Sequence, residues 1–91
     1  MVVDQNKIAQ EWRKKGFSCT TFQDPPGQRW EDYTYEVDEL FLVLEGNIEI
    51  EIAGQKLRPQ PGEEILIPAK SLHSVRNIGN MTSRWLYGYK Y

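Results

Sequence analysis

Hydrophobic positions recur on two different periods along this chain. Over residues 4–15 they are sparse and helical: Ile8 and Trp12 stand four apart on one face, Asp4 can serve as the N-cap, and Gly16 supplies the left-handed residue that stops a helix. The stripe is narrow, as for a surface helix laid across a larger body with Trp12 as its anchor. From Phe17 onward the period becomes two. Alternating or aromatic runs at 17–22, 28–36, 39–44, 48–52, 55–58, 64–67, 72–77 and 84–91 are separated by turn clusters, among them Asp24-Pro25-Pro26-Gly27, Ala53-Gly54 and Pro59-Gln60-Pro61-Gly62. About eight short strands with turn signals every eight to twelve residues predict an all-β barrel or sandwich.

Two runs depart from a plain inside–outside alternation. Residues 40–44, LFLVL, are apolar on both faces, with Phe41 and Val43 on one and Leu40, Leu42 and Leu44 on the other. A barrel wall has one interior face, so the other needs a cover: the amino-terminal helix, another sheet, or a second copy of the chain. A homodimer is the expectation drawn from this run. The last strand places Trp85, Tyr87, Tyr89 and Tyr91 on one face, where they either fill a core or join Tyr33 and Tyr35 around a pocket.

Composition narrows the class. Ninety-one residues make one domain, expected as a helical segment over 1–16 and a barrel over 17–91. The formal net charge is −2 with both signs interspersed, so neither nucleic acid nor an anionic membrane is an expected partner; Arg13-Lys14-Lys15 reads as a solvated helix face. The single cysteine, Cys19, forbids an internal disulfide and reads as a structural thiol. The start, MVVDQNK, has no apolar run of signal-peptide length, and no run approaches the ~20 residues of a membrane span, so a cytoplasmic location is expected.

The chemistry-bearing residues fall at fixed offsets. Gly27 is followed after five residues by Tyr33-x-Tyr35, after three more by Glu39, and after six by Gly46. Gly62 is followed after five residues by Pro68-x-Lys70, after two by the only histidine, His73, and after three by Asn77. These two stretches resemble the paired motifs of the cupin superfamily: Gly, five residues, His-x-His, three or four residues, Glu, six residues, Gly; then Gly, five residues, Pro-x-Gly, two residues, His, three residues, Asn. The resemblance implies a small antiparallel jelly-roll barrel, frequently dimeric, with one site inside it. In the family's metalloenzymes the histidines and the glutamate hold a divalent metal. Glu39 and His73 match ligand positions, whereas Tyr33 and Tyr35 stand at histidine positions and Lys70 at a glycine.

Those substitutions fall on the chemistry. Two protein ligands rarely hold a transition metal against water, and a tyrosine ligates as phenolate, which costs free energy at neutral pH because its ordinary pKa is ~10. No cofactor is therefore expected; the alternative is zinc, iron, manganese or nickel on Glu39, His73 and Tyr35. If the chain runs from Tyr33 to Val43 without a bulge, Tyr33, Tyr35, Glu39, Phe41 and Val43 share the inward face. Glu39 and His73 would then pair, as a structural cluster or as an acid–base couple. Lys70 is read as an exposed loop residue, and Arg76 and Asn77 as residues that pair locally. The leading function is binding of a small polar or cationic molecule by Tyr33, Tyr35, Glu39, Phe41, His73, Trp85 and Tyr87. The alternatives are a metal-dependent oxygenase, isomerase or lyase, and a non-catalytic dimeric interaction protein.

Overall fold

In the computed structural model, which describes residues 3–91, the chain runs α1 (Gln5–Lys14), β1 (Thr20–Asp24), β2 (Arg29–Tyr33), β3 (Glu39–Glu45), β4 (Ile48–Ile52), β5 (Gln55–Leu57), β6 (Glu64–Ile67), β7 (His73–Asn77) and β8 (Ser83–Tyr89). The strands form two antiparallel four-stranded sheets, ordered β1-β8-β3-β6 and β2-β7-β4-β5. This is the expected all-β jelly roll with one short amino-terminal helix. Met1 and Val2, which open the expected helical segment, lie outside the described residues. No helix among the described residues is long and apolar enough to cross a membrane.

The helix ends are set as their sequence requires. The Asp4 carboxylate accepts from the Lys7 amide, 3.2 Å away, at the amino end. At the other end Gly16 takes φ +87°. Its amide bonds the Arg13 carbonyl and the Phe17 amide bonds the Trp12 carbonyl, a Schellman closure that a side chain at Gly16 would strain.

Between the sheets lies a core of Phe41, Val43, Ile67 and Trp85 from the first and Ile48, Ile50 and Val75 from the second. The second apolar face of β3 is covered from within the chain. Leu40, Leu42 and Leu44 pack with Leu86 and Phe17 under the wholly buried Trp12 of α1, with Ile8 and Cys19 at the margin. That face therefore gives no ground for a second copy of the chain. Cys19 belongs to this outer cluster, and burial pushes its thiol up from its ordinary pKa, so a thiolate nucleophile has no support there.

Several local expectations are corrected. The run 28–36 is not one strand: β2 stops at Tyr33, its pairing to β7 shifts between Trp30 and Tyr33, and Asp32 takes φ +61°. The Ser74 hydroxyl holds this irregularity by accepting from the Asp32 amide at 2.9 Å. Arg76 does not pair locally, and Asn77 does so only in part. Arg76 lies on the outer face of the second sheet and bonds Glu31 at 2.9 Å, Glu49 at 2.9 Å and Glu51 at 3.0 Å. With the Ser74 hydroxyl, it holds the Glu31 carboxyl down to about 2. Asn77 is buried; its Oδ1 accepts locally from the Gly79 amide at 3.0 Å and its NH2 group donates to the Met81 carbonyl four residues on, but the same NH2 also reaches the carbonyls of Asp24 and Pro25 across the fold. Tyr91 lies beyond β8 and is exposed.

Candidate functional site

Strand register gathers the site. In β3 and β8, Glu39 pairs with Tyr89, Phe41 with Tyr87 and Val43 with Trp85, so each pair shares a face. In the other sheet Tyr33 pairs with His73 and Trp30 with Val75. The two inner faces leave a cavity of about 180 Å3 lined by Phe22, Trp30, Tyr33, Tyr35, Glu39, His73, Val75, Trp85, Tyr87 and Tyr89. Glu39 and His73 are buried, while Tyr33 and Tyr35 are about one-third exposed and form the mouth.

The mouth is held by backbone bonds rather than by a continuous strand. The Lys70 amide donates to the Tyr35 carbonyl at 2.7 Å, and the Ala69 amide to the Asp38 carboxylate at 2.7 Å. Lys70 itself is exposed, as expected, but takes φ +67°. This left-handed turn explains why the matching motif has glycine there, and a lysine bears strain of about 1–2 kcal/mol in it. The strained turn is what places Tyr35 beside His73, with ring centroids 5.5 Å apart, and beside Tyr89 at 4.8 Å.

His73 Nε2 stands 3.4 Å from Glu39 Oε1, near enough for charge pairing. The alignment is not that of a hydrogen bond, and Oε1, sealed from solvent, has no hydrogen-bond partner. His73 Nδ1 lies 3.1 Å from the Ser71 carbonyl, an acceptor only, so Nδ1 carries hydrogen and Nε2 faces the carboxylate. Burial pushes the imidazole pKa down, but Glu39 and the Ser71 carbonyl together outweigh it and the net shift is upward. Tyr89 is pushed far above its ordinary value by burial first, then by its hydrogen bond with Tyr35 and the charge of Glu39.

The sign of the His73 shift yields a measurable consequence. A raised folded-state pKa means the pair's stabilisation is fully present below the unfolded value of 6.5 and is lost as pH rises through the folded value. The melting-temperature advantage of the native protein over His73→Gln is expected to be larger at about pH 5.5 than at about pH 8.5. An advantage that grows with pH would refute the pairing.

The donor set is short for a metal. Among the described residues, no three of His, Cys, Asp and Glu come together. A third ligand would have to be a phenol such as Tyr35, which binds a metal as phenolate and costs free energy to ionise at neutral pH. A carboxylate and an imidazole without a third anionic or imidazole donor do not fit a tightly held transition metal.

Of the residues singled out in the sequence, Tyr33, Tyr35, Glu39, His73, Trp85 and Tyr87 meet in this cavity. Phe41 does not: it is fully buried in the core against Trp85 and does not line the cavity. Sequence reasoning missed Phe22, Trp30 and Val75 as walls. Val75 was legible as the residue two on from His73, whereas Trp30 was hidden by assuming an unbroken strand. It also read Asp24 as a turn residue. Asp24 is wholly buried, and its two carboxylate oxygens accept the indole N–H groups of Trp30 at 3.2 Å and Trp85 at 3.1 Å.

Two antiparallel sheets packed around an aromatic cavity, with an acid and an imidazole at its floor, define a small jelly-roll domain with a site between its sheets. Residues 20–89 match the cupin-domain family model, and the chain belongs to that family. An uncharacterized protein of Methanocaldococcus jannaschii is 34% identical over 47 residues, covering 52% of this chain and 38% of that protein. The cupin domain of Schizosaccharomyces pombe Cnp3 superposes with TM-score 0.76 at 21% identity, covering 82% of this chain and 56% of that one. The plu4264 protein of Photorhabdus luminescens does so with TM-score 0.76 at 24% identity, covering 84% and 63%. This chain thus spans less than two thirds of each of these relatives, and the structural likenesses are of fold.

Proposed function

We propose that this protein binds a small polar or cationic molecule in the aromatic cavity, without a tightly held metal. The observation that carries the reading is the Glu39 carboxylate, buried beside His73 at the floor of a cavity walled by tyrosines and tryptophans and free of lysine and arginine. A ligand that donates to Glu39 would add to the hydrogen bonding of that buried acid. The walls suit such a ligand, since ring faces attract cations and phenol hydroxyls exchange hydrogen bonds with polar groups.

Thermal-shift screening against sugars, amines and carboxylates tests this, because a ligand specific for the folded state raises the melting temperature. The expected result is a class of compound that stabilises the native protein and loses its effect in both Glu39→Ala and Tyr35→Ala. Ligand shifts that survive both substitutions would place binding elsewhere. One equivalent of metal per chain, found by elemental analysis of protein purified without chelator, would overturn the metal-free part.

A further inference from the structure

The same cavity says more about its ligand, on the premise that it binds a small molecule at all. Its lining holds one carboxylate and one imidazole, and no lysine or arginine. Both side chains are more than nine-tenths buried, at 7% and 5% exposure. Glu39 therefore has no cation of the protein's own beside it other than His73 when that ring is protonated. With His73 Nδ1 committed as donor to Ser71, the neutral ring presents Nε2 as an acceptor. In the protonated ring Nε2–H faces Glu39 Oε1 at 3.4 Å; an entering cation that takes the carboxylate releases that proton and leaves Nε2 as a second acceptor.

Such a pair has a defined chemical complement. An anion would add charge beside Glu39 with no lysine or arginine in the lining to offset it. A neutral hydroxyl has one hydrogen to offer and cannot satisfy both acceptors. A primary ammonium has three, and it gains from the carboxylate charge in a partly desolvated site. The walls favour the same ligand, because Tyr33, Tyr35, Tyr87 and Tyr89 present π systems that attract positive charge and cover an apolar body. Size sets the upper bound. An apolar cavity of about 150 Å3 accommodates benzene, so about 180 Å3 takes one ring or a short chain with its head group.

We infer that the cavity selects a small protonated amine, its N–H groups on Glu39 and His73 and its carbon body among the mouth tyrosines. The carbon frame carries little of the selectivity and the ammonium most of it. A quaternary ammonium keeps the charge but has no N–H, so it forfeits the two hydrogen bonds.

The test is an isosteric series on the native protein, read by calorimetry and by chemical-shift changes of the Trp30 and Trp85 indole N–H signals: benzylamine, benzyl alcohol, benzoate and benzyltrimethylammonium. Benzylamine is expected to bind at least about tenfold more tightly than each of the others, equivalent to about 1.4 kcal/mol. In Glu39→Gln, which keeps the side-chain shape, the preference over benzyl alcohol is expected to vanish. The ranking is measured on the native protein, so it stands whether or not a variant folds. If benzyl alcohol or benzoate binds as tightly as benzylamine, the amine assignment is overturned while the cavity remains a binding site. Equal binding of the quaternary ion removes the hydrogen-bond component and overturns it too. No binding of any of the four, together with no stabilising compound in the wider screen, defeats both the inference and the reading beneath it.

Discussion

Asp24→Ala is expected to lower the melting temperature by about 12–24 °C, corresponding to a loss of about 3 kcal/mol for a domain of this size. The carboxylate is wholly buried and accepts two indole N–H groups, one from Trp30 and one from Trp85. Alanine would leave both donors without a partner, at about 1–3 kcal/mol each. Asn at this position keeps one acceptor and sets its amide hydrogens against the other indole, so Asp24→Asn should lose about half as much. Both tryptophans are walls of the cavity, and their near-ultraviolet circular dichroism should weaken with the alanine substitution even well below the melting temperature. A shift under about 4 °C would mean the carboxylate is dispensable and the indoles are held by packing alone.

The second large effect lies on the opposite side of the first sheet. Trp12→Ala is expected to cost about 3–5 kcal/mol, the range for deleting a fully buried large aromatic side chain. Trp12 is wholly buried, seals Leu40, Leu42, Leu44 and Leu86, and donates its indole N–H to Glu64 at 2.7 Å. Removing it would bare the apolar outer face of β3, so any fraction that stays folded should self-associate in sedimentation at micromolar concentration. Trp12→Phe keeps the burial and forfeits only the bond to Glu64, which limits the loss to about 1–2 kcal/mol. Denaturant unfolding separates the two: near-equal midpoints for the alanine and phenylalanine variants would contradict the seal. Ligand selectivity should not change in Trp12→Phe, since this residue does not reach the cavity.

Strand identities were legible because the period of two survives wherever one face is buried. Residues 48–52 and 64–67 were read with the bounds the structure has. The helix was legible from its ends, Asp4 and Gly16, more than from its stripe. The double-sided apolar run 40–44 correctly announced that something must cover the outer face, but not what. The answer depends on where Trp12 lands, far away in sequence, and no local pattern records that placement. Phe41 was placed in the site by parity alone. Parity tells which side of a strand a residue faces, not how deep along the barrel axis it sits.

Asp24 and Asn77 were the clearest misreadings. Both are residue types that favour turns because their short polar side chains bond nearby backbone. Here they also bond groups that chain folding brings from far away: Trp85 for Asp24, and the Asp24–Pro25 corner for Asn77, which keeps its local bond from the Gly79 amide as well. The loop from Thr34 to Asp38 was hidden in the same way. Asp32 at φ +61° breaks the strand, and the bond that stabilises the break comes from Ser74.

Local chemistry was enough to specify the elements and an all-β fold, because alternation and turn residues act within a few residues of chain; the meeting of Glu39 with His73 was implied by the resemblance of the two motifs to the cupin pair. Three-dimensional packing alone settled the cover on β3, the indole-bound Asp24 and the reach of Asn77 to the Asp24–Pro25 corner. Each of these depends on which distant groups are excluded from water together, and burial of that kind is a property of the assembled sheets rather than of any segment.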